Sequence, residues 1–205
     1  MIAIVDYDMG NVGSIKNMIE YIGGEDVIIT SDEKIILEAD YLILPGVGSF
    51  DMGMKNLHEK KLIEPIKYFA NVLKRPILGI CLGMQLLGKC SQEGELAGLD
   101  LIPFKNVRFD FKDNIDLKIP HMGWDIISIR NEDSPLVIGM NSNSRFYFVH
   151  SYYAVCDNTE NILMECDYGI NFTAAVFKDN IYGVQFHPEK SHFFGMKILE
   201  NFMKV

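Results

Sequence analysis

The chain has 205 residues, 48% of them apolar and 23% charged, with a net charge of −9. That length suits a single domain spanning residues 1–205, and the composition is that of an ordinary globular protein. The acidic balance argues against nucleic acid or an anionic membrane as a partner, since both select basic surfaces.

No apolar run approaches the length of a membrane span. The start, Met1 to Asp6, lacks the basic residues of a signal peptide and reads as a first strand. Cys81, Cys90, Cys156 and Cys166 share no CxxC spacing and no histidine ligand pattern. They read as reduced thiols of a cytoplasmic protein, with no disulfide frame and no metal site.

Residues 2–5 predict a strand that runs into the turn Asp6-Tyr-Asp-Met-Gly10-Asn11. Val12, Ile15, Met18, Ile19 and Ile22 then mark one face of a helix that Gly23-Gly24 ends. Residues 27–30 predict a second strand, Ser31-Asp-Glu opens a short helix, and residues 41–44 predict a third strand ending in Pro45-Gly46-Val47-Gly48. A polar, Met-rich stretch follows, then a helix over about 62–73 and a buried strand over 76–80. This alternation predicts a mostly parallel sheet with helices on both faces. From about residue 101 to 182 the texture changes to short strands, at 104–111, 124–129, 146–153, 161–166, 172–177 and 181–186. Asp113-Asn114, Asp157-Asn158 and the turn at 178–180 punctuate them. They predict antiparallel hairpins extending the sheet or packing beside it. A last helix covers 191–203.

The most informative stretch is Gly79-Ile-Cys81-Leu-Gly83. It joins the strand at 76–80 to a run of good helix formers, Leu82 and Met84 to Leu87. G-x-C-x-G is the cysteine form of the nucleophile elbow, a turn so sharp that its flanking residues have no room for a Cβ. It lifts the sulfur above the sheet and sets it at a helix N-terminus, a setting that favours thiolate. By itself the pattern is equally that of a structural cysteine in a βα unit.

A cysteine nucleophile needs a base and an orienting group. In Phe186-His187-Pro188-Glu189, His187 and Glu189 are two apart in an extended segment and point the same way. His150, in an apolar strand, is the rival base or a pocket-wall histidine. An oxyanion site needs two converging N–H groups. Leu82 offers one, and the strand end at 45–48 is placed to offer the other. The Gly46-Val47-Gly48 triplet is not a dinucleotide fingerprint, because no third glycine follows at the right offset.

In order and spacing, Pro45-Gly-Val-Gly48, Gly79-Ile-Cys81-Leu-Gly83-Met-Gln85 and His187-Pro-Glu189 resemble the class I glutamine amidotransferases of the triad type. Asp6-Tyr-x-x-Gly10-Asn11, Pro120-His-Met-Gly-Trp124 and Phe146-Tyr-Phe-Val-His150-Ser-Tyr152 narrow the resemblance to the glutaminase subunits of imidazole glycerol phosphate synthases. It covers essentially the whole chain and implies a flavodoxin-like amidotransferase fold. It also implies hydrolysis of L-glutamine through a thioester on Cys81, with His187 moving the proton and Glu189 orienting it.

The resemblance assigns the oxyanion hole to Val47, Gly48 and Leu82, with a rearrangement of the 45–48 strand. It assigns glutamine binding to Gly46, Gln85, Ser151 and Tyr152. No cofactor is implied. The implied partner is a (β/α)8-barrel cyclase in a heterodimer, docked on Asn11, Ser14, Pro120, His121, Met122, Gly123, Trp124 and Lys190. Ammonia that escaped into neutral water would become ammonium, which is not a nucleophile, so its acceptor must dock over the elbow. Asp8 stands where the family usually has Gly, and Ser14 near where it has a second Asn. Both bear on which partner docks. Relatives that feed ammonia to a sugar-amidating synthetase are the alternative. A stand-alone cysteine hydrolase and a non-catalytic scaffold are the alternatives of another class.

Overall fold

The structure, a computed structural model, describes residues 1–111 and 117–205. The expected Asp113-Asn114 turn lies outside the described residues. The first half alternates as β1 (Ile2–Val5), α1 (Val12–Tyr21), β2 (Val27–Thr30), α2 (Glu33–Glu38), β3 (Tyr41–Leu44), α3 (Phe50–Glu59), α4 (Ile63–Asn71), β4 (Ile77–Ile80) and α5 (Leu82–Leu86). The second half is β5 (Cys90–Ser91), β6 (Phe104–Arg108), β7 (His121–Ile129), β8 (Arg145–His150), β9 (Tyr152–Cys156), β10 (Ile162–Asp167), β11 (Asn171–Lys178), β12 (Ile181–Val184) and α6 (His192–Phe202).

The main sheet runs β2-β1-β3-β4-β12-β11-β10-β7-β8. Strands β2 to β12 along that order are mutually parallel, and β11 onward pair antiparallel. The parallel half is buried on both faces, because helices cover both. On β1, Ile2 and Ile4 join the core that includes Ile15 and Ile19 of α1 and Ile198 and Phe202 of α6. The intervening Ala3 and Val5 join the core that includes Phe50, Leu57, Ile66 and Phe69 of α3 and α4. This is the period-2 alternation of a strand between two helical layers.

Two expectations are corrected and a third is sharpened. The Met-rich stretch after Gly48 is a helix, α3. Its Phe50, Met54 and Leu57 are buried at helical spacing, and Gly53 sits against Leu86. The stretch at 146–153 is two strands, because Ser151 separates β8 from β9. Residues 181–184 form the expected hairpin with β11 and also pair on their other side. β12 enters the middle of the sheet, parallel to β4 and fully buried, and only its pairing with β11 is antiparallel.

Candidate active site

The elbow is formed as its glycines require. Cys81 has φ +54 and ψ −110, a backbone state that side chains rarely adopt and that tends to persist at functional sites. A Cβ on Gly83 would lie 1.8 Å from the Leu44 carbonyl oxygen, and one on Gly79 would lie 2.7 Å from the Gly83 oxygen. The two glycines let α5 settle directly on β3 and β4. Cys81 is only 7% exposed. It lies at the base of a cavity of about 260 Å³ rather than standing free above the sheet. Val47, Gly48, Leu82, Gln85, Glu93, Pro120, His150, Ser151, Tyr152 and His187 share that cavity.

β12 carries His187 to the same place. The His187 amide donates to the Tyr147 carbonyl at 2.9 Å. Ser191 Oγ donates to the His187 carbonyl at 2.6 Å. One turn after the strand, Glu189 Oε1 sits 2.8 Å from His187 Nδ1, and both side chains are 2% exposed. His187 Nε2 is buried without a hydrogen bond among the described residues and looks toward the Cys81 thiol. Burial penalises the imidazolium, but the Cys81 and Glu189 side chains outweigh it, so the His187 pKa rises to about 10. Burial also acts against the Glu189 carboxylate, yet His187, with a smaller contribution from Asn11, holds its pKa below the usual value. The arrangement suits a thiol whose proton passes to an oriented imidazole.

His150 is not a second base. Nδ1 lies 2.8 Å from the Tyr152 carbonyl and Nε2 lies 3.1 Å from His121 Nδ1, so neither ring nitrogen is free to take the thiol proton. Burial pushes its pKa down to about 3. Gln85 Nε2 donates to the Tyr152 carbonyl at 3.2 Å and to Gln185 Oε1 at 3.0 Å. Gln185 Nε2 in turn reaches Cys81 Sγ at 3.8 Å.

The 45–48 segment is present in an orientation that fills the anion site. The Leu82 N–H donates to the Gly46 carbonyl at 3.3 Å, so a carbonyl oxygen stands where an oxyanion would need a second donor. A Cβ on Gly46 would meet Gly83 N at 2.7 Å and Leu82 Cβ at 2.8 Å. The turn after β1 braces this segment. Tyr7, fully buried, donates its hydroxyl to the Pro45 carbonyl. A Cβ on Gly10 would lie 3.0 Å from Gly46 N, and Met9 Cε lies under Gly48.

The residues expected to contact a partner divide. Met122 and Trp124 are 61% and 41% exposed on the outer face of β7, with Ile126 beside them. Gly123 lies between them, and Ser14, Pro120 and Lys190 are exposed. Trp124 stacks on His192 at 5.4 Å. His121 differs from the expectation. Alternation along β7 turns it inward, where it is 1% exposed. Asn11 is half-buried, and its Nδ2 donates to Glu189 Oε1 at 3.3 Å, which puts it in contact with the triad carboxylate. Asp8 takes φ +63, which explains the usual Gly at that position, and pairs with Lys60 at 2.9 Å.

Glu93 was not expected at the site. It lines the cavity and accepts from the Phe50 amide at 2.8 Å. Gln185 also went unnoticed. No local pattern marks either, because only tertiary packing brings them to the elbow; Tyr7 stood in the Asp6-Tyr-x-x-Gly10-Asn11 pattern without a role assigned to it. A larger cavity of about 770 Å³ lies beside β7 and β10. Its one thiol, Cys166, has carboxylates but no histidine among the lining residues, and burial pushes its pKa up to about 12.

Fold and site together define an α/β protein built around a cysteine elbow with a histidine–carboxylate pair at the carboxyl edge of a parallel sheet. The family model for glutamine amidotransferase class-I matches residues 3–205, and the chain belongs to that family. It is 58% identical to the imidazole glycerol phosphate synthase subunit HisH 2 of Methanococcus maripaludis, covering 100% of this chain and 99% of the relative. It is 52% identical to the subunit HisH of Sulfurimonas denitrificans, covering 100% and 98%. Among solved structures, that of PurLQS from Thermotoga maritima superimposes with a TM-score of 0.73 at 19% identity, over 99% of this chain and 97% of that one. The last comparison bears on fold alone.

Proposed function

We propose that this chain is the glutaminase subunit of an imidazole glycerol phosphate synthase, acting in the cytoplasm as a heterodimer with a (β/α)8-barrel cyclase. The observation that carries the reading is the meeting of Cys81, His187 and Glu189 at one cavity, in a chain so similar over its full length to subunits of that name. Cys81 Sγ, its proton already held on His187 Nε2, attacks the side-chain amide carbon of L-glutamine. His187 returns the proton to the leaving nitrogen, the C–N bond breaks, and ammonia departs from a glutamyl thioester. Water, deprotonated by His187, then attacks the thioester, and the thiol leaves with that proton to release glutamate. Glu189 keeps the imidazole oriented and stabilises its charged form.

Substrate fits the lining. Gln85 and the Ser151–Tyr152 segment line the cavity where the amide would sit, Gly46 lies one residue before the lining at Val47, and the Glu93 carboxylate answers the α-ammonium group. The anion site requires the Gly46–Val47 peptide to turn, so that the Gly46 oxygen leaves Leu82 N–H and Val47 N–H replaces it. Gly46, which has no Cβ, can absorb that rotation in its ψ. The turn that braces the segment adjoins the expected docking face at Ser14, so a docked partner is placed to drive the change. The free chain is therefore a slow glutaminase, and the complex a fast one.

A second reading has its own support. The Methanococcus relative carries the number 2, and Asp8 gives the docking turn a charge paired with Lys60. Here ammonia goes to a sugar-amidating, ATP-pyrophosphatase-type synthetase. Co-purification with each candidate partner decides between them. The first reading expects a stable complex with the barrel cyclase and glutamate release that rises on complex formation. Cys81→Ser abolishes release and leaves the complex intact. Binding to the synthetase and not to the cyclase reassigns the acceptor, and unchanged hydrolysis by Cys81→Ser refutes both.

A further inference from the structure

Beside the glutamine cavity, three contacts join four groups in a row. Asp125 Oδ2 is 2.6 Å from His121 Nε2, His121 Nδ1 is 3.1 Å from His150 Nε2, and His150 Nδ1 is 2.8 Å from the Tyr152 carbonyl. Both ends of the row are acceptors, since a carbonyl and an ionised carboxylate have no proton to give. Three hydrogen bonds between such ends need three protons, and two neutral imidazoles bring two.

We propose that Asp125, His121 and His150 hold this third proton in common and are positioning residues for the glutamine site, securing the Tyr152 carbonyl only while the proton is present. With it, His150 Nδ1–H and Gln85 Nε2–H hold that carbonyl from two sides. The hold continues through Gln185 to Cys81 Sγ. Without it, His121 keeps its Nε2–H for Asp125 and turns a bare Nδ1 toward His150. His150 must then face that lone pair with its own or move its proton to Nε2, which leaves Tyr152 held by Gln85 alone. The row thus links β7, whose outer face carries Trp124, to the wall of the glutamine cavity.

The ionisable groups around the row, among the described residues, are few. Tyr168 stacks on His121 at 4.0 Å, Cys166 of β10 lies near Asp125, and His187 faces His150. Phe109, Phe148 and Phe172 complete the walls. Burial lowers the pKa of His121 against the pull of Asp125 and lowers that of His150 further. The extra proton therefore belongs to the Asp125–His121 end. The secured form is the protonated one, so glutamine affinity is full at low pH and falls as pH rises through the titration of the row.

The positioning role rests on the glutaminase reading, but the proton count does not. Nitrogen-15 NMR of histidine-labelled protein reports the tautomer of each ring without partner or turnover. The expected result is a His150 ring protonated at Nδ1, moving to the Nε2 tautomer in the same titration step that removes a proton from the Asp125–His121 pair. A His150 ring protonated at Nε2 throughout, or one that does not titrate with His121, overturns the shared proton. Calorimetric binding of L-glutamine in a Cys81→Ser background tests the role. The dissociation constant should rise about fivefold to tenfold across that step, the value of one hydrogen bond. With Asp125→Asn added it should stay flat, because the amide nitrogen supplies the third proton at every pH. The Asp125 side chain is 37% exposed, so the variant leaves the core intact. An equal pH dependence with and without Asp125→Asn overturns the positioning role. Failure to bind glutamine at any pH counts against the glutaminase reading, and the NMR result still decides the proton count.

Discussion

Gly83→Ala is a demanding test of the elbow. The added Cβ would lie 1.8 Å from the Leu44 oxygen and 2.8 Å from the Leu44 carbonyl carbon. Both are backbone atoms of β3, held in the sheet, so neither can rotate away. Restoring ordinary contact takes a separation of roughly 1.5 Å between α5 and β3, at a cost of about 1–3 kcal/mol or more for forcing a packed backbone apart. The same shift carries Cys81 and Leu82 N–H with it, and a displacement of about 1 Å at reacting atoms costs about a hundredfold in rate. Urea unfolding and glutamate release from L-glutamine, measured with the partner present, should show both losses. Gly13→Ala is the contrast. Gly13 lies in α1 with nothing within 4 Å of its added Cβ, so it should raise stability by about 0.5–1 kcal/mol. A Gly83→Ala protein with the stability and turnover of its parent would refute the steric account.

Glu93→Gln removes the charge that answers the substrate's ammonium and should raise KM for glutamine about ten- to a hundredfold with kcat little changed. A drop in kcat at constant KM would contradict that role. His187, whose folded pKa is raised to about 10, contributes stability fully below its unfolded value of about 6.5 and loses that contribution as pH climbs through the folded one. Cys81→Ala removes a cause of the rise, so its urea midpoint should lose less than that of the parent between neutral pH and above that pKa. Equal losses in both would show that the thiol does not hold the imidazolium.

Much of the site was legible because its constraints are local. Gly79 and Gly83 flank Cys81 for reasons that concern backbone clearance alone; His187 and Glu189 meet as expected, but through a 3-10 turn at Pro188–Lys190 rather than along an extended segment. The parallel half of the fold was legible for a similar reason, since helical and strand periods alternate cleanly through β4. What was missed depends on the far partner. The Met-rich stretch hid α3, because Phe50, Met54 and Leu57 are interleaved with polar residues, and Gly48, Ser49 and Gly53 stand in or beside it. β12 read rightly as a hairpin strand, but its parallel pairing with β4 gave no signal, because that is set by the whole sheet rather than by its turn. His121 read as part of an outward-facing motif, and the alternation of β7 sends every second residue of that motif inward. Glu93 has no sequence signal at all, since only the seating of the 92–94 loop against Phe50 brings its carboxylate to the cavity.

The position of β12 also bears on how the chain is made. A ribosome delivers β1 to β4 early, but the sheet then has an unpaired edge at β4 until residues 181–184 emerge and insert between β4 and β11. Such an open edge invites pairing with other chains. The strand that closes it is also the one that brings His187, so closing the edge and arming the thiol are a single folding event. A nascent or truncated chain that has not yet placed β12 carries Cys81 without a proton acceptor, and so cannot consume glutamine before it is complete.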